Sequence, residues 1–124
     1  MVDYTEIPGL EHFVLEESFV LSITESPGRV QLEVDLVFAK DHPELLPARP
    51  DEWAYFRTGL ITFDGVTEFR WENRTAPARE SDGTTSWGSI DTFIQDGDVY
   101  LLEGDPGNLR IVAGTVRVEF TGPA

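Results

Sequence analysis

The chain has 124 residues and no cysteine, which rules out disulfides, thiol nucleophiles and thiolate metal sites and leaves enough length for one domain with its own core. Its 23 carboxylates and 9 basic residues set a formal charge of −14, a field that repels nucleic acid and anionic membranes and attracts basic partners or cations, or serves solubility alone. No apolar run reaches transmembrane length, and the acidic start MVDYTEIPGLEH lacks the basic and apolar regions of a secretory signal; the expectation is one cytoplasmic domain over 1–124.

Strand signals dominate: short runs of Val, Ile, Leu, Phe and Thr, separated by Gly, Pro, Asp and Asn. From Phe13 to Lys40 the pattern predicts a hairpin about Ser26-Pro27-Gly28-Arg29, with Pro presetting φ and Gly supplying a positive φ. Pairing outward sets Ile23 opposite Leu32, Leu21 opposite Val34 and Phe19 opposite Leu36 on one apolar face. Ser22, Thr24, Gln31, Glu33 and Asp35 fall on the other. A type II turn is not the favoured hairpin turn, so a bulge can shift this register.

Residues 41–52, with three prolines, read as a loop or a single helical turn. Asp64-Gly65 is the strongest short hairpin signal. It predicts Leu60 facing Phe69, Thr58 facing Trp71 and Thr62 facing Thr67, with Arg57–Glu72 and Ile61–Glu68 on the opposite face. Residues 73–88 are polar and without period, as in functional or disordered loops. Then follow Ser89–Gln95, a turn at Asp96-Gly97, Asp98–Glu103, a turn over Glu103–Asn108, and a last hairpin of Leu109–Ala113 with Thr115–Thr121. A two-residue turn at Ala113-Gly114 would oppose Arg110 to Arg117, which requires a shifted register or compensating carboxylates. The fold class is therefore all-β, with about eight mostly antiparallel strands in a small barrel. A two-sheet sandwich is the alternative.

Phe13, Phe19, Phe38, Phe56, Phe69 and Trp71 fall on predicted inner faces and read as core. Trp53 and Trp87 stand at loop–strand junctions, where a Trp caps the core or lines a ligand mouth; capping is the stronger reading because large aromatics are mostly buried. Chemistry-bearing motifs are absent: the chain has no G-x-S-x-G elbow, no H-E-x-x-H and no phosphate-binding glycine loop. Its two histidines, His12 and His42, assemble no triad by spacing, and Asp96-Gly97-Asp98 and Glu103-Gly104-Asp105 fit turns better than calcium loops. No catalytic residue, metal or cofactor is assigned. Asp91, within the otherwise apolar run Ile90–Ile94, is the most interesting carboxylate. It reads as an outward Asp on a half-wet strand or, if turned inward, as a buried group paired with Arg57 or Arg70.

The C-terminal stretch from Gly88, with Ile90, Asp91 and Phe93 and then Leu102, Glu103, Gly104 and Asp105, resembles a family of small bacterial, mainly actinobacterial, all-β proteins. In that family a Gly-x-Ile-Asp-x-Phe run precedes a Leu-Glu-Gly-Asp turn; the Tyr55–Phe63 strand with Arg57 and Gly59 also fits. The resemblance covers about the last seventy residues and implies a stand-alone bacterial domain without assigning an activity. Where the family pattern places Trp after the turn, this chain has Pro106.

The leading functional expectation is a non-enzymatic interaction domain, immunity-protein-like, engaging a basic partner. The alternative is a barrel holding a small ligand. Asp91, Arg57, Arg70, Trp71 and Trp87 are the candidate ligand-binding residues. An enzyme using paired carboxylates is the third reading.

Overall fold

The computed structural model describes residues 1–43, 45–50, 52–79 and 85–121. Among them the chain forms eleven strands and no α-helix: β1 (Val2–Asp3), β2 (Phe19–Ser26), β3 (Arg29–Val37), β4 (Phe56–Asp64), β5 (Glu68–Glu72), β6 (Ala78–Arg79), β7 (Thr85–Ser86), β8 (Ile90–Asp96), β9 (Val99–Gly104), β10 (Gly107–Val112) and β11 (Thr115–Phe120). Three of these have two residues each, which leaves the eight longer strands the sequence predicts. The all-β, antiparallel reading holds.

The strands form a five-stranded sheet of order β1-β8-β9-β10-β5, a four-stranded sheet of order β11-β4-β3-β2, and the short β6-β7 pair. Each larger sheet presents one apolar face to a common core. Val30, Leu32, Val34 and Leu36 of β3 and Ile61 and Phe63 of β4 come from the four-stranded sheet. Phe93, Tyr100, Leu102, Leu109 and Ile111 come from the five-stranded one. The Phe63 ring meets Tyr100 at 5.1 Å and Phe93 at 6.0 Å across the two sheets.

The β2–β3 hairpin turns where the sequence places it, with Ser26 opposite Arg29 and Ile23 opposite Leu32. Beyond Ser22 the register shifts by one through a bulge, so Val20 rather than Leu21 faces Val34, and Phe19 faces Asp35 rather than Leu36. Val20 is buried in place of Leu21, and Phe19 moves to the outer face, stacked on Phe56 at 6.1 Å.

The hairpin expected at Asp64-Gly65 does not form. β4 pairs with β3 on one edge and β11 on the other, whereas β5 pairs with β10 in the other sheet. Gly65, at φ +67°, turns the chain out of the four-stranded sheet. The Val66 amide then donates to the Gly28 carbonyl and the Thr67 amide to that of Val112. The inner face of β4 is accordingly Gly59, Ile61 and Phe63. Ile61, assigned by the hairpin register to a charged face with Glu68, is fully buried, because a one-residue change of face inverts every side chain.

The same correction applies to the last predicted hairpin: β10 and β11 lie in different sheets, and Arg110 opposes Arg70, not Arg117. Glu68 lies 3.0 Å from Arg110 and 3.6 Å from Arg70 and compensates that like-charged pair. The Asp64 carboxylate takes Arg29 at 2.7 Å and also Arg117, while the Asp64 carbonyl accepts the Gly114 amide. One corner thus fastens both crossings between the sheets.

Tyr4 anchors the N-terminal segment beneath β8. Its hydroxyl accepts the Leu15 amide and donates to Glu16 Oε2 at 3.0 Å. Burial pushes this phenol up to about 12; Leu15 works against the rise and Glu16 adds to it. Tyr100 is raised too, by burial and by Asp98. The folded state therefore holds the Tyr4 proton more tightly than the unfolded chain does, and the associated stability is complete below the ordinary phenol value of 10.0 and declines as pH climbs toward 12. Urea denaturation across that window should show the decline. Tyr4→Phe should remove part of it while costing about 1–3 kcal/mol at neutral pH through the unpaired Leu15 amide. Equal alkaline losses in both proteins would refute the assignment.

Candidate functional site

β5 and β2 are the end strands of their sheets, and they face each other across one open side of the molecule. The inner side of β5 carries Phe69 and Trp71, opposite Ile111 and Leu109 of β10. With no further strand beyond β5 among the described residues, both rings stay half-buried. Ile23 and Glu25 come from the inner side of β2, whose register sets them opposite Leu32 and Val30.

The segment after β7 closes one end of this seam. The Trp87 amide donates to the Val20 carbonyl and the Val20 amide to that of Gly88, so the segment pairs with the start of β2. Gly88 has φ +82°, its amide donates to Ser86 Oγ, and a Cβ there would collide with the Asp105 carboxylate. The Ser89 amide donates to Asp105 Oδ2 at 3.0 Å, and the Ser89 hydroxyl donates to the Ser18 carbonyl at 2.6 Å. Trp87 is thereby held with its ring 5.0 Å from that of Trp71, edge to face at 62°.

The β9–β10 turn supports the same corner. The Trp71 indole donates to the Pro106 carbonyl at 2.9 Å, and the Thr75 hydroxyl donates to that of Asp105 at 2.8 Å. Asn73, at φ 54°, bends the chain back after β5 in a conformation Asn tolerates. Arg74 is thereby laid over the indoles, its guanidinium carbon 4.0 Å from the Trp71 ring centre and 5.4 Å from that of Trp87. The outcome is a stacked cation on two tryptophans at the surface.

Among the described residues two open grooves run along the seam and a third lies past Trp87. One of about 340 Å³ lies among Ile23, Glu25, Phe69, Trp71 and Arg74. A second, of about 380 Å³, continues past Glu25 and Phe69 to Pro27 and Glu68. The third, of about 410 Å³, lies on the other side of Trp87 and includes Phe19, Ala78, Ser89 and Asp105. Trp53 stands apart from them, 62% exposed and packed edge-on to Phe56, not buried as a cap.

Of the candidates named from sequence, Trp71 and Trp87 come together and the others do not join them. Asp91 is the bulged residue between Ile90 and Thr92 of β8, and the bulge turns its carboxylate to solvent. It is not the inward, arginine-paired group considered above: Arg57 lies over the Phe120 ring at 4.1 Å in the other sheet, and Arg70 lies beside Glu68 on the outer face of β5. Sequence reading also missed Arg74, Glu25 and Asp105. Only Arg74 left a signal, a cation directly after a left-handed Asn and three positions from Trp71.

The two histidines do meet elsewhere. His12 Nδ1 lies 3.2 Å from Asp41 Oδ2, and the two imidazole rings are 5.8 Å apart, with the His42 ring 4.1 Å from that of Phe38 and tilted by 34°. Among the described residues no group of three or more side chains is arranged to hold a metal ion, and no helix is long and apolar enough to cross a membrane. Residues 80–84 of the polar loop lie outside the described residues. No protein-family model matches the chain, and neither a curated protein nor a solved structure matches it significantly.

Two substitutions probe this account. Gly88→Ala combines a positive φ with the Asp105 collision, and should destabilise the domain by about 1–3 kcal/mol while altering Trp87 fluorescence. An unchanged urea midpoint and spectrum would contradict the close approach. Asp91→Ala removes an exposed carboxylate and should leave stability within about 0.5 kcal/mol of the parent. A loss of several kcal/mol in the same denaturation would place Asp91 in a buried pair after all.

Proposed function

We propose that this chain is a non-enzymatic interaction domain that engages a basic partner protein, as an immunity protein does, and that the tryptophan-lined seam is its contact face. The observation that carries the reading is the stack of Trp71, Trp87 and Arg74 on the open side between β2 and β5. Tryptophan is among the residue types that dominate binding energy at protein interfaces, and here both indoles are pre-ordered, Trp71 by its hydrogen bond to the Pro106 carbonyl and Trp87 by the backbone bond of its amide to the Val20 carbonyl. The charge of −14 supplies long-range attraction for a basic surface.

The architecture supports this reading over the ligand-filled barrel. We read it as the two-sheet alternative: the strand orders end at β1 and β5 in one sheet and at β11 and β2 in the other, and the space between is occupied by Phe63, Phe93 and Tyr100 in ring contact. Carboxylate chemistry has less support, because Glu25 and Asp105 line different grooves.

Titration against purified small basic proteins, with acidic ones as controls, tests the reading through tryptophan fluorescence. Binding should be confined to basic probes, weaken from low to molar salt, and fall about tenfold or more in Trp71→Ala. The same response to acidic probes, or none to basic ones, would defeat it. Circular dichroism of the variant confirms that its fold is retained.

A further inference from the structure

The seam is already occupied by a cation, and that cation belongs to the chain itself. The Arg74 guanidinium carbon stands 4.0 Å from the centre of the Trp71 ring and 5.4 Å from that of Trp87. It is exposed, and no ion pair holds it among the described residues. The grooves on either side carry three carboxylates, Glu25, Glu68 and Asp105, against this one guanidinium. Glu68 already serves Arg70 and Arg110, and the Asp105 carboxylate accepts one backbone amide; Glu25, which lines two adjoining grooves, has no ion pair among the described residues. Lifting Arg74 away would leave two indole faces and an uncompensated acidic groove, an arrangement suited to an arginine or lysine side chain.

The backbone around it is equally open. Among the described residues β5 pairs only with β10. β2 pairs with β3, and Val20 at its start also bonds the Trp87–Gly88 segment, so among the described residues the length from Ser22 to Ser26 has a strand neighbour on one side only. Such edges accept an added strand, and side chains of that strand alternate between the groove and solvent.

Resting on the interaction-domain reading above, we propose that the seam between β2 and β5 receives an extended basic segment of the partner protein, whose cationic side chain displaces Arg74 from Trp71 and Trp87. The segment runs along an unpaired edge, and Arg74 is the placeholder that keeps the indoles covered until it arrives. Arg74 therefore competes with the partner and does not recruit it.

A capped peptide of alternating valine and arginine is the probe, followed by tryptophan fluorescence and calorimetry. Controls replace arginine by glutamate, or carry backbone N-methyl groups on alternate residues. The wild type should bind the parent peptide and not the glutamate one, and N-methylation should weaken binding about tenfold by blocking strand pairing. Arg74→Ala should bind roughly three- to tenfold tighter, because the competing cation–π contact is gone. Glu25→Gln should bind about threefold weaker. Arg74 and Glu25 are both exposed, so neither variant puts folding at risk. If Arg74→Ala weakens binding, or the glutamate peptide binds better, Arg74 is a recruiting group and the displacement proposal fails. If the basic peptide or the basic proteins bind but neither variant nor N-methylation matters, the partner docks elsewhere: this proposal fails and the interaction-domain reading stands. Absence of binding to the peptide and to every basic protein removes both.

Discussion

Strand β4 has no free edge. β3 bonds it from Arg29 to Val37 on one side and β11 from Thr115 to Phe120 on the other. Whatever follows Asp64 must therefore leave the sheet, and so must the chain that arrives at Thr115. Both crossings occur at one corner, where Asp64 collects Arg29 and Arg117 through its carboxylate and Gly114 through its carbonyl. Three charges share that corner on the surface, so its contribution is mainly geometric: exposed ion pairs are worth little each, but together they fix where the chain turns. The position of β5 at the end of the other sheet follows from this departure, and with it the half-covered Phe69 and Trp71.

An uncovered pair of aromatic rings at a sheet edge is a liability in water and an opening for association. The chain deals with it locally. Asn73 reverses direction, Arg74 lies on the indole, and Trp87 arrives from a segment tied to the start of β2. A guanidinium is weakly hydrated and can lie flat on a ring, so it shields apolar surface while remaining solvated at its edge. The cover is worth on the order of 1 kcal/mol, a small fraction of the stability of a domain. The same softness does not extend to the centre, where Phe63, Phe93 and Tyr100 interlock between the sheets.

Much of the fold was legible locally. The Pro27-Gly28 turn and the β8–β9 and β9–β10 hairpins depend on residues near in sequence and stand close to where the pattern puts them, whereas the stretch 73–88, without period in the sequence, carries the short β6–β7 pair. The readings that failed share one cause. Asp64-Gly65 is good hairpin chemistry, but a turn signal specifies only that the chain bends, not which strand it meets afterwards. Phe19 faces outward because a bulge at Leu21 in β2 inserts one residue and exchanges the faces beyond it, and in β8 a bulge at Asp91 itself decides between its two readings in favour of the outward one. The site was half legible: Trp71 could be singled out on an inner strand face and Trp87 at a loop–strand junction, but the partners that make them a site come from β2, from residue 74 and from the turn at 105–106.

What the sequence determined by itself was the class of structure and its electrostatic character. Alternating apolar residues and frequent Gly, Pro and Asp breaks demand antiparallel strands, and an excess of carboxylates demands an acidic surface whatever the topology. What only the tertiary structure decided was which strands are neighbours and which end a sheet. Those choices rest on competition between alternative pairings for the same backbone edges and on the fit of Phe63 against the opposite sheet, energies spread over residues far apart in the chain. The seam exists because β4's edges were filled by β3 and β11, leaving β2 and β5 each with one side unpaired along most of its length among the described residues.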